Sequence, residues 1–160
     1  MTIPDHIMGD FWPPAQPGPE GADYGATTLT PLGVFPVRSF QTFTLVYTVG
    51  RYGLDDTGAI KIVNRWTDDG GTWQTDDPMA MNYVTATASN GAQLDLYVEP
   101  HPHQRPWYNG LRITLKRGYM SPGDTITLVI GDQSVSICLY VNNQSIIHLM
   151  CRIYTISTPG

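Results

Sequence analysis

The stretch that decides the fold is Thr42-Phe43-Thr44-Leu45-Val46-Tyr47-Thr48-Val49. Large apolar side chains occupy every second position, and threonine or valine fills the positions between them. Because successive side chains of a β-strand point to opposite faces, this period of two predicts a strand with one face in a core. The residues that we expect to point inward are Phe43, Leu45, Tyr47 and Val49.

Further strands are predicted between turns rich in glycine and proline. One covers residues 59–66, with Ile60, Ile62 and Trp66 as inward residues. Two more, at 83–88 and 93–98, flank Asn90-Gly91. This dipeptide readily adopts the positive φ angles of a tight turn, so we expect a β-hairpin there.

Two alternating runs, 111–116 and 125–130, lie on either side of Ser121-Pro122-Gly123-Asp124. Proline followed by glycine at the central positions is typical of a type II turn. The last stretch resembles a hairpin about Asn142-Asn143, with 135–141 and 144–157 as its strands.

Composition favours the same class of fold. The chain has 160 residues, and only 14% of them are charged, whereas about 25% is usual in soluble domains. It also contains 16 glycines and 13 prolines, which favour many short strands and turns over long helices. We therefore predict an all-β protein, an immunoglobulin-like antiparallel β-sandwich of about seven to eight strands.

Three segments are expected along the chain. Residues 1–26 are predicted to be an extended arm rich in proline and glycine, and residues 27–134 the sandwich domain. Residues 135–160 contain no acidic residue and a single basic one, Arg152. This segment is therefore either the final hairpin or a non-native tail left by a frameshift or truncation.

Charge argues against two kinds of partner. The formal net charge is −5, and no basic run could neutralise successive phosphates, which argues against nucleic acid. No run approaches eighteen apolar residues, and the N-terminus lacks the pattern of a signal peptide, so we expect no membrane partner and a cytoplasmic location. If Asn142-Asn143 is a two-residue turn, Cys138 and Cys151 lie about 13 Å apart and stay reduced.

Metal chemistry has one candidate segment, Glu99-Pro100-His101-Pro102-His103. Two imidazoles beside a carboxylate could hold a divalent metal, although a third strong ligand is missing, so an exposed loop is the other interpretation. The acidic pairs of the loops could bind calcium or could serve ordinary turn chemistry. These pairs are Asp55-Asp56, Asp68-Asp69 and Asp76-Asp77. No nucleophile motif or phosphate-binding loop is present, so we expect no catalytic residue and no cofactor in this chain.

Aromatic residues near loops suggest a binding surface. The candidates for docking or ligand binding are Trp73, Arg105, Trp107 and Tyr108, with Trp66 as a further tryptophan of the same region. Tryptophan and tyrosine can stack on a sugar or form the centre of a protein interface. The other interpretation is that Trp66 is a core residue and that Arg105-Pro106-Trp107 packs a corner of the sandwich.

The order of several short motifs resembles a large bacterial family of unknown function. These motifs are Tyr47–Ile60, Asp76-Asp77-Pro78, Asn82–Ala86, Arg105-Pro106-Trp107, Pro122-Gly123-Asp124 and Gly131–Ser134. The resemblance covers about residues 25–134. It implies an N-terminal β-sandwich that precedes a domain similar to PHP-type metal-dependent phosphoesterases, whose metal ligands lie in that later domain and have no counterpart here.

These observations together predict an accessory or docking β-sandwich, or a fragment, of a metal-dependent hydrolase. Its expected partner is a hydrolase domain in the same chain or the surface of a second protein. A first alternative is a carbohydrate-binding module that uses the loop tryptophans. A second is a small metal-dependent enzyme that uses His101 and His103.

Overall fold

The computed structural model describes residues 24–36, 39–65, 71–99, 107–131, 139–140 and 150–152. Within these residues the chain forms β-strands joined by turns and loops. The strands are β1 (Gly25–Thr30), β2 (Phe40–Gln41), β3 (Phe43–Val49), β4 (Ala59–Arg65), β5 (Val84–Ala88), β6 (Gln93–Glu99), β7 (Trp107–Arg117), β8 (Thr125–Ile130), β9 (Leu139–Tyr140) and β10 (Met150–Arg152).

Eight of these strands form two antiparallel sheets. The first sheet has the order β1-β3-β8-β5, and the second has the order β10-β4-β7-β6. Every strand pair is antiparallel. The prediction of an antiparallel β-sandwich is confirmed. In a constant immunoglobulin domain the first, second, fifth and fourth strands form one sheet, and the third, sixth and seventh form the other. If β1 is counted as the first strand and β2 is not counted, β6 is the fifth strand and β8 is the seventh. Here β8 lies in the first sheet and β6 in the second, so these two strands are interchanged.

One hydrophobic core lies between the two sheets. The predicted inward residues of β3 are all buried, and the residues between them are only partly buried. Ile60 and Ile62 of β4 meet them from the second sheet with no exposed surface. Burial of a side chain of this size stabilises a fold by about 1.5–3 kcal/mol, so the alternation observed in β3 is what holds the two sheets together.

The predicted hairpin about Asn90-Gly91 is wrong. The turn itself forms, since the Gly91 N–H donates to the Ala88 carbonyl at 3.1 Å. However, β5 pairs with β8 in the first sheet and β6 pairs with β7 in the second. The chain therefore crosses from one sheet to the other between β5 and β6, since the partner of β5 is β8 and the partner of β6 is the next strand, β7.

The turn at residues 121–124 agrees with its prediction. The Asp124 N–H donates to the Ser121 carbonyl at 3.0 Å, and Gly123 has a φ of 92°, as the third position of a type II turn requires. It also connects the two sheets, because β7 and β8 belong to different ones.

Of the C-terminal segment, residues 139–140 pair with β2 and residues 150–152 pair with β4. Whether residues 135–160 are the final hairpin or a tail left by a frameshift or truncation stays a prediction.

Candidate binding surface at the loop end

Three connections between the sheets meet at one end of the sandwich. They are residues 50–58, 89–92 and 118–124. The register explains why: Thr48 pairs with Thr125, Ala88 pairs with Ile126, and Gln93 pairs with Arg117. Tyr24 lies at the same end, directly before β1. We call these three connections and Tyr24 the loop end.

Backbone hydrogen bonds join the loops of this end to one another. Leu54 and Met120 exchange both of their backbone hydrogen bonds at 2.9 Å, which ties the first loop to the third. The Gly123 N–H donates to the Val49 carbonyl at 2.9 Å. Ser89 connects the second loop to β8, because its N–H donates to the Thr125 carbonyl and its hydroxyl accepts from the Thr125 N–H, both at 2.9 Å.

Asn90 is the side chain that fixes the second loop to the third. Its Nδ2 donates to the Tyr119 carbonyl at 2.9 Å and to Asp124 Oδ2 at 3.0 Å. The same Asp124 oxygen accepts from the Ser121 N–H at 2.8 Å. Asn90 Oδ1 accepts from the Ala92 N–H at 3.0 Å. The asparagine that suggested a hairpin in the sequence therefore serves to hold two loops together.

Three exposed tyrosines lie on this hydrogen-bonded base. Tyr24, Tyr52 and Tyr119 are between 45% and 57% exposed. The rings of Tyr24 and Tyr52 are 5.6 Å apart, centroid to centroid, and Arg51 lies 5.2 Å from the Tyr52 ring.

Gly53 gives Tyr119 its position. Its φ of 73° is in the left-handed region, and a Cβ at this position would overlap the Tyr119 hydroxyl and approach the Met120 carbonyl. Tyr119 of the third loop therefore lies across the backbone of the first loop at Gly53, because only glycine leaves room there for the tyrosine ring. Tyr119 thus lies next to the residue that follows Tyr52.

A shallow depression of about 320 Å³ adjoins Tyr119. Its lining residues are Asn90, Gly91, Ala92, Gln93, Arg117, Gly118 and Tyr119. A register shift between Gln93 and Leu94 gives β7 one extra residue at this point. As a result Lys116 and Arg117 are both exposed, although they are consecutive, and Arg117 faces the depression instead of the core.

The solvent-facing side of the second sheet continues from this depression. Tyr97 is 54% exposed there, and the Arg112 guanidinium lies 5.5 Å from its ring. Glu99 forms ion pairs with two cations, with Lys61 Nζ at 2.7 Å and Arg112 Nε at 3.4 Å. We call the loop end, the depression and this side of the second sheet the tyrosine surface.

Of the residues predicted for metal or ligand binding, Glu99 lies on the tyrosine surface, Trp73 lies in the core, and several lie outside the described residues. Glu99 is already bound to Lys61 and Arg112. His101, His103 and Arg105 lie outside the described residues, and so do Trp66 and Cys138. Trp107 begins β7, and Tyr108 follows it in that strand. Trp73 is a core residue with 5% of its surface exposed, so its indole is not part of an exposed surface.

Two of the acidic pairs act in turns. Asp55 Oδ1 accepts from the Asp56 N–H at 2.7 Å, and Asp77 Oδ1 accepts from the Met79 N–H at 2.9 Å. Asp68-Asp69 lies outside the described residues. In the described part of the chain, no three His, Cys, Asp or Glu side chains come together in a way that could hold a metal ion.

The tyrosines of this surface were missed by the sequence interpretation, which favoured tryptophan. Two signals could have found them. Tyr52 and Tyr119 each adjoin a glycine within a turn, and Tyr97 falls among the outward residues of an alternating strand. Several exposed apolar groups that form one patch, rather than a single exposed ring, mark an interaction surface.

The described residues form a β-sandwich with exposed tyrosines at its loop end and on its second sheet. No protein-family model matches the chain, and no curated protein matches it. Among solved structures, the chain is similar to the CBM3a-L domain from the cellulosome scaffoldin of Clostridium thermocellum. The identity is 12%, the match covers 76% of this chain and 82% of that one, and the TM-score is 0.36. A likeness this low carries no argument about function. No helix in the described ranges is long and apolar enough to span a membrane.

Proposed function

We propose that this chain is a binding module that takes a polysaccharide on its tyrosine surface. The observation that carries the proposal is a set of four tyrosines, each about half exposed: Tyr24, Tyr52 and Tyr119 at the loop end and Tyr97 on the second sheet. A tyrosine ring offers an apolar face on which the C–H face of a sugar can stack, and a hydroxyl that can bond to it.

The depression supplies the polar part of such a site. Gln93 and Arg117, which carry an amide and a guanidinium, line it together with Tyr119. Sugar hydroxyls require donors and acceptors of this kind next to the ring on which they stack, because a buried hydroxyl without a partner is costly. The geometry of the described residues thus favours the carbohydrate alternative, with tyrosines in the place that the sequence interpretation gave to tryptophans.

The proposal is tested by gel electrophoresis of the purified chain through soluble polysaccharides. The series contains xylan, mixed-linkage β-glucan, galactomannan, polygalacturonate and alginate. At least one of them should retard the protein. Tyr119→Ala and Tyr97→Ala should each weaken that retardation roughly tenfold, and Tyr119→Phe should retain most of it.

Phe40→Ala is the matched control, because Phe40 is 47% exposed and lies beyond the opposite end of the first sheet. It should bind like the parent chain. A thermal melt of each variant separates lost binding from lost folding. Mobility that no polysaccharide in the series changes would contradict the proposal, and so would equal losses in Phe40→Ala and the tyrosine variants.

Docking on a protein partner, such as the hydrolase domain implied by the sequence resemblance, is the second candidate function. It is favoured by the composition of the loop end, which is rich in glycine and tyrosine and also contains serine, asparagine and arginine, all residue types enriched in antibody-type binding loops. Binding of this chain to an isolated hydrolase domain, abolished by Tyr52→Ala and unaffected by any polysaccharide, would decide for it.

A further inference from the structure

We infer that the polysaccharide bound by this chain is acidic, with carboxylates that meet Arg112 and Arg117. The inference rests on the proposed function and names the chemistry of its ligand. Its first support is that each exposed tyrosine of the second sheet and the depression has an arginine beside it. Arg112 lies over the Tyr97 ring, and Arg117 lines the same depression as Tyr119.

The β-bulge is the second support, because it is what brings Arg117 to the surface. In a regular ladder, Gln93 would pair with Lys116, and Arg117 would follow on the side of the core. The extra residue in β7 instead pairs Gln93 with Arg117 and leaves both cations exposed. Bulges that re-aim a side chain in this way are common beside binding sites.

The local charge is the third support. The chain as a whole carries a net charge of −5. On the solvent-facing side of β4, β6 and β7, however, the described residues include four cations and two carboxylates. The cations are Lys61, Arg112, Lys116 and Arg117, and the carboxylates are Asp95 and Glu99. The solvent-facing side of the second sheet therefore carries a positive net charge, although the net charge of the whole protein is negative. Loop 50–58 carries Asp55 and Asp56, so the carboxylates of the ligand belong to the depression and the sheet, rather than to the part around Tyr52.

Arginine suits this role better than lysine would. Its planar guanidinium can donate two parallel hydrogen bonds to one carboxylate while it stacks on an aromatic ring. The two arginines pair with Tyr97 and Gln93, four residues apart on β6, which corresponds to about 13 Å along the strand. A single uronic acid is too short to contact both. A chain of several such units is long enough, so we expect affinity to rise with the length of the oligosaccharide.

The experiment measures retardation by polygalacturonate and alginate against neutral xylan and galactomannan, at low and high salt. Polyglutamate is included as a polyanion that contains no sugar. The acidic polysaccharides should bind more tightly than the neutral ones, and high salt should weaken them, because exposed charges are screened. Arg117→Gln and Arg112→Gln should each reduce affinity about tenfold, and Arg117→Lys should reduce it less. Monomeric galacturonate should not compete.

Asp76→Asn is the control for net charge, since it removes one negative charge from an exposed loop outside the tyrosine surface. It should not change affinity. Equal binding of neutral and acidic polysaccharides would overturn this inference and leave the proposed function in place. Equal retardation by polyglutamate would also overturn it, because the surface would then bind any polyanion by charge alone, with no recognition of the sugar. Binding to no polysaccharide would remove the proposed function itself.

Discussion

The two sheets face the core in the same way and face solvent in different ways. In both, large apolar residues alternate inward; those of the central strands are nearly inaccessible, whereas Leu29 of β1 and Leu94, Leu96 and Val98 of β6, at the sheet edges, are only partly buried. The strands of the first sheet, β1, β3, β5 and β8, contain no charged residue, and threonine predominates at their outward positions. The strands β4, β6 and β7 of the second sheet carry charged residues at outward positions, together with Tyr97.

This difference shows which residues specify the fold and which ones are available for function. Threonine is a good strand former and suits an outward face that only has to stay in a sheet. Tyr97 and the ion pairs of Glu99 lie on the second sheet, which is the side on which the proposed ligand would lie. Four predictions test this division, from the largest expected effect to the smallest.

Truncation in the core should cost the same in either sheet. Leu128→Ala in the first sheet and Ile113→Ala in the second should each lower the free energy of unfolding by about 2–5 kcal/mol, because each removes a fully buried side chain. Denaturation in guanidinium chloride measures the loss. Thr127→Ala, next to Leu128 and facing outward, should change stability by about 0.5 kcal/mol or less. A large loss in only one sheet would contradict a shared core.

At the loop end, Gly53→Ala should be more damaging than Gly91→Ala. The left-handed backbone alone costs about 1–2 kcal/mol for alanine, and displacement of Tyr119 adds to that. Gly91→Ala is the matched control, because Gly91 has a similar φ of 76° and no atom near its would-be Cβ. Thermal melts and the tyrosine signal in near-ultraviolet circular dichroism should therefore change more in Gly53→Ala. Identical melts for the two variants would show that the Tyr119 contact contributes nothing.

Loss of the ion pairs on the second sheet should have a moderate effect. Glu99→Gln leaves Lys61 and Arg112 without their carboxylate, and we expect a loss of about 1 kcal/mol at low salt and less at high salt. Asp95→Asn, on the same face of β6, should change stability less. Chemical denaturation at two salt concentrations checks this. A loss for Glu99→Gln that does not depend on salt would identify packing, rather than charge, as its cause.

A charge added to the first sheet should have the smallest effect. Thr87 is an exposed outward residue of β5 at the edge of that sheet. Thr87→Lys should shift stability by about 0.5 kcal/mol or less and should leave polysaccharide retardation unchanged. Increased retardation in this variant would mean that any added cation promotes binding, and the distinction between the two sheets would then lose its functional meaning.

The strands could be predicted from the sequence because a period of two is a local signal. The alternation of Phe43, Leu45, Tyr47 and Val49 needs no knowledge of distant residues, and it also predicted the core. The partners of the strands could not be predicted in this way. A tight turn such as Asn90-Gly91 has the same local chemistry whether its strands pair with each other or separate into two sheets. The position of β8 between β3 and β5 decides the matter, and that is a long-range contact.

The tyrosine surface was hidden for the same reason. Tyr52 and Tyr119 lie in different loops, which are brought together by strand pairing and by the hydrogen bonds that Leu54 and Met120 exchange. The interest in tryptophan was reasonable for a ring that stacks, but Trp73 fills the core instead. The extra residue of the bulge, which exposes Arg117, breaks the alternation by one position and can be recognised only when β6 is paired with β7.

The hydrogen bonds around Asn90 and Asp124 also affect how much conformational entropy the loop end would lose on binding a ligand. Because three loops are already joined to one another, the backbone of the binding face has little conformational entropy left to lose when a ligand arrives. Only the long side chains, such as Arg117, would be immobilised, at about 0.5–1.5 kcal/mol each. Association would then proceed in a single kinetic phase onto a surface that has the same shape before and after binding.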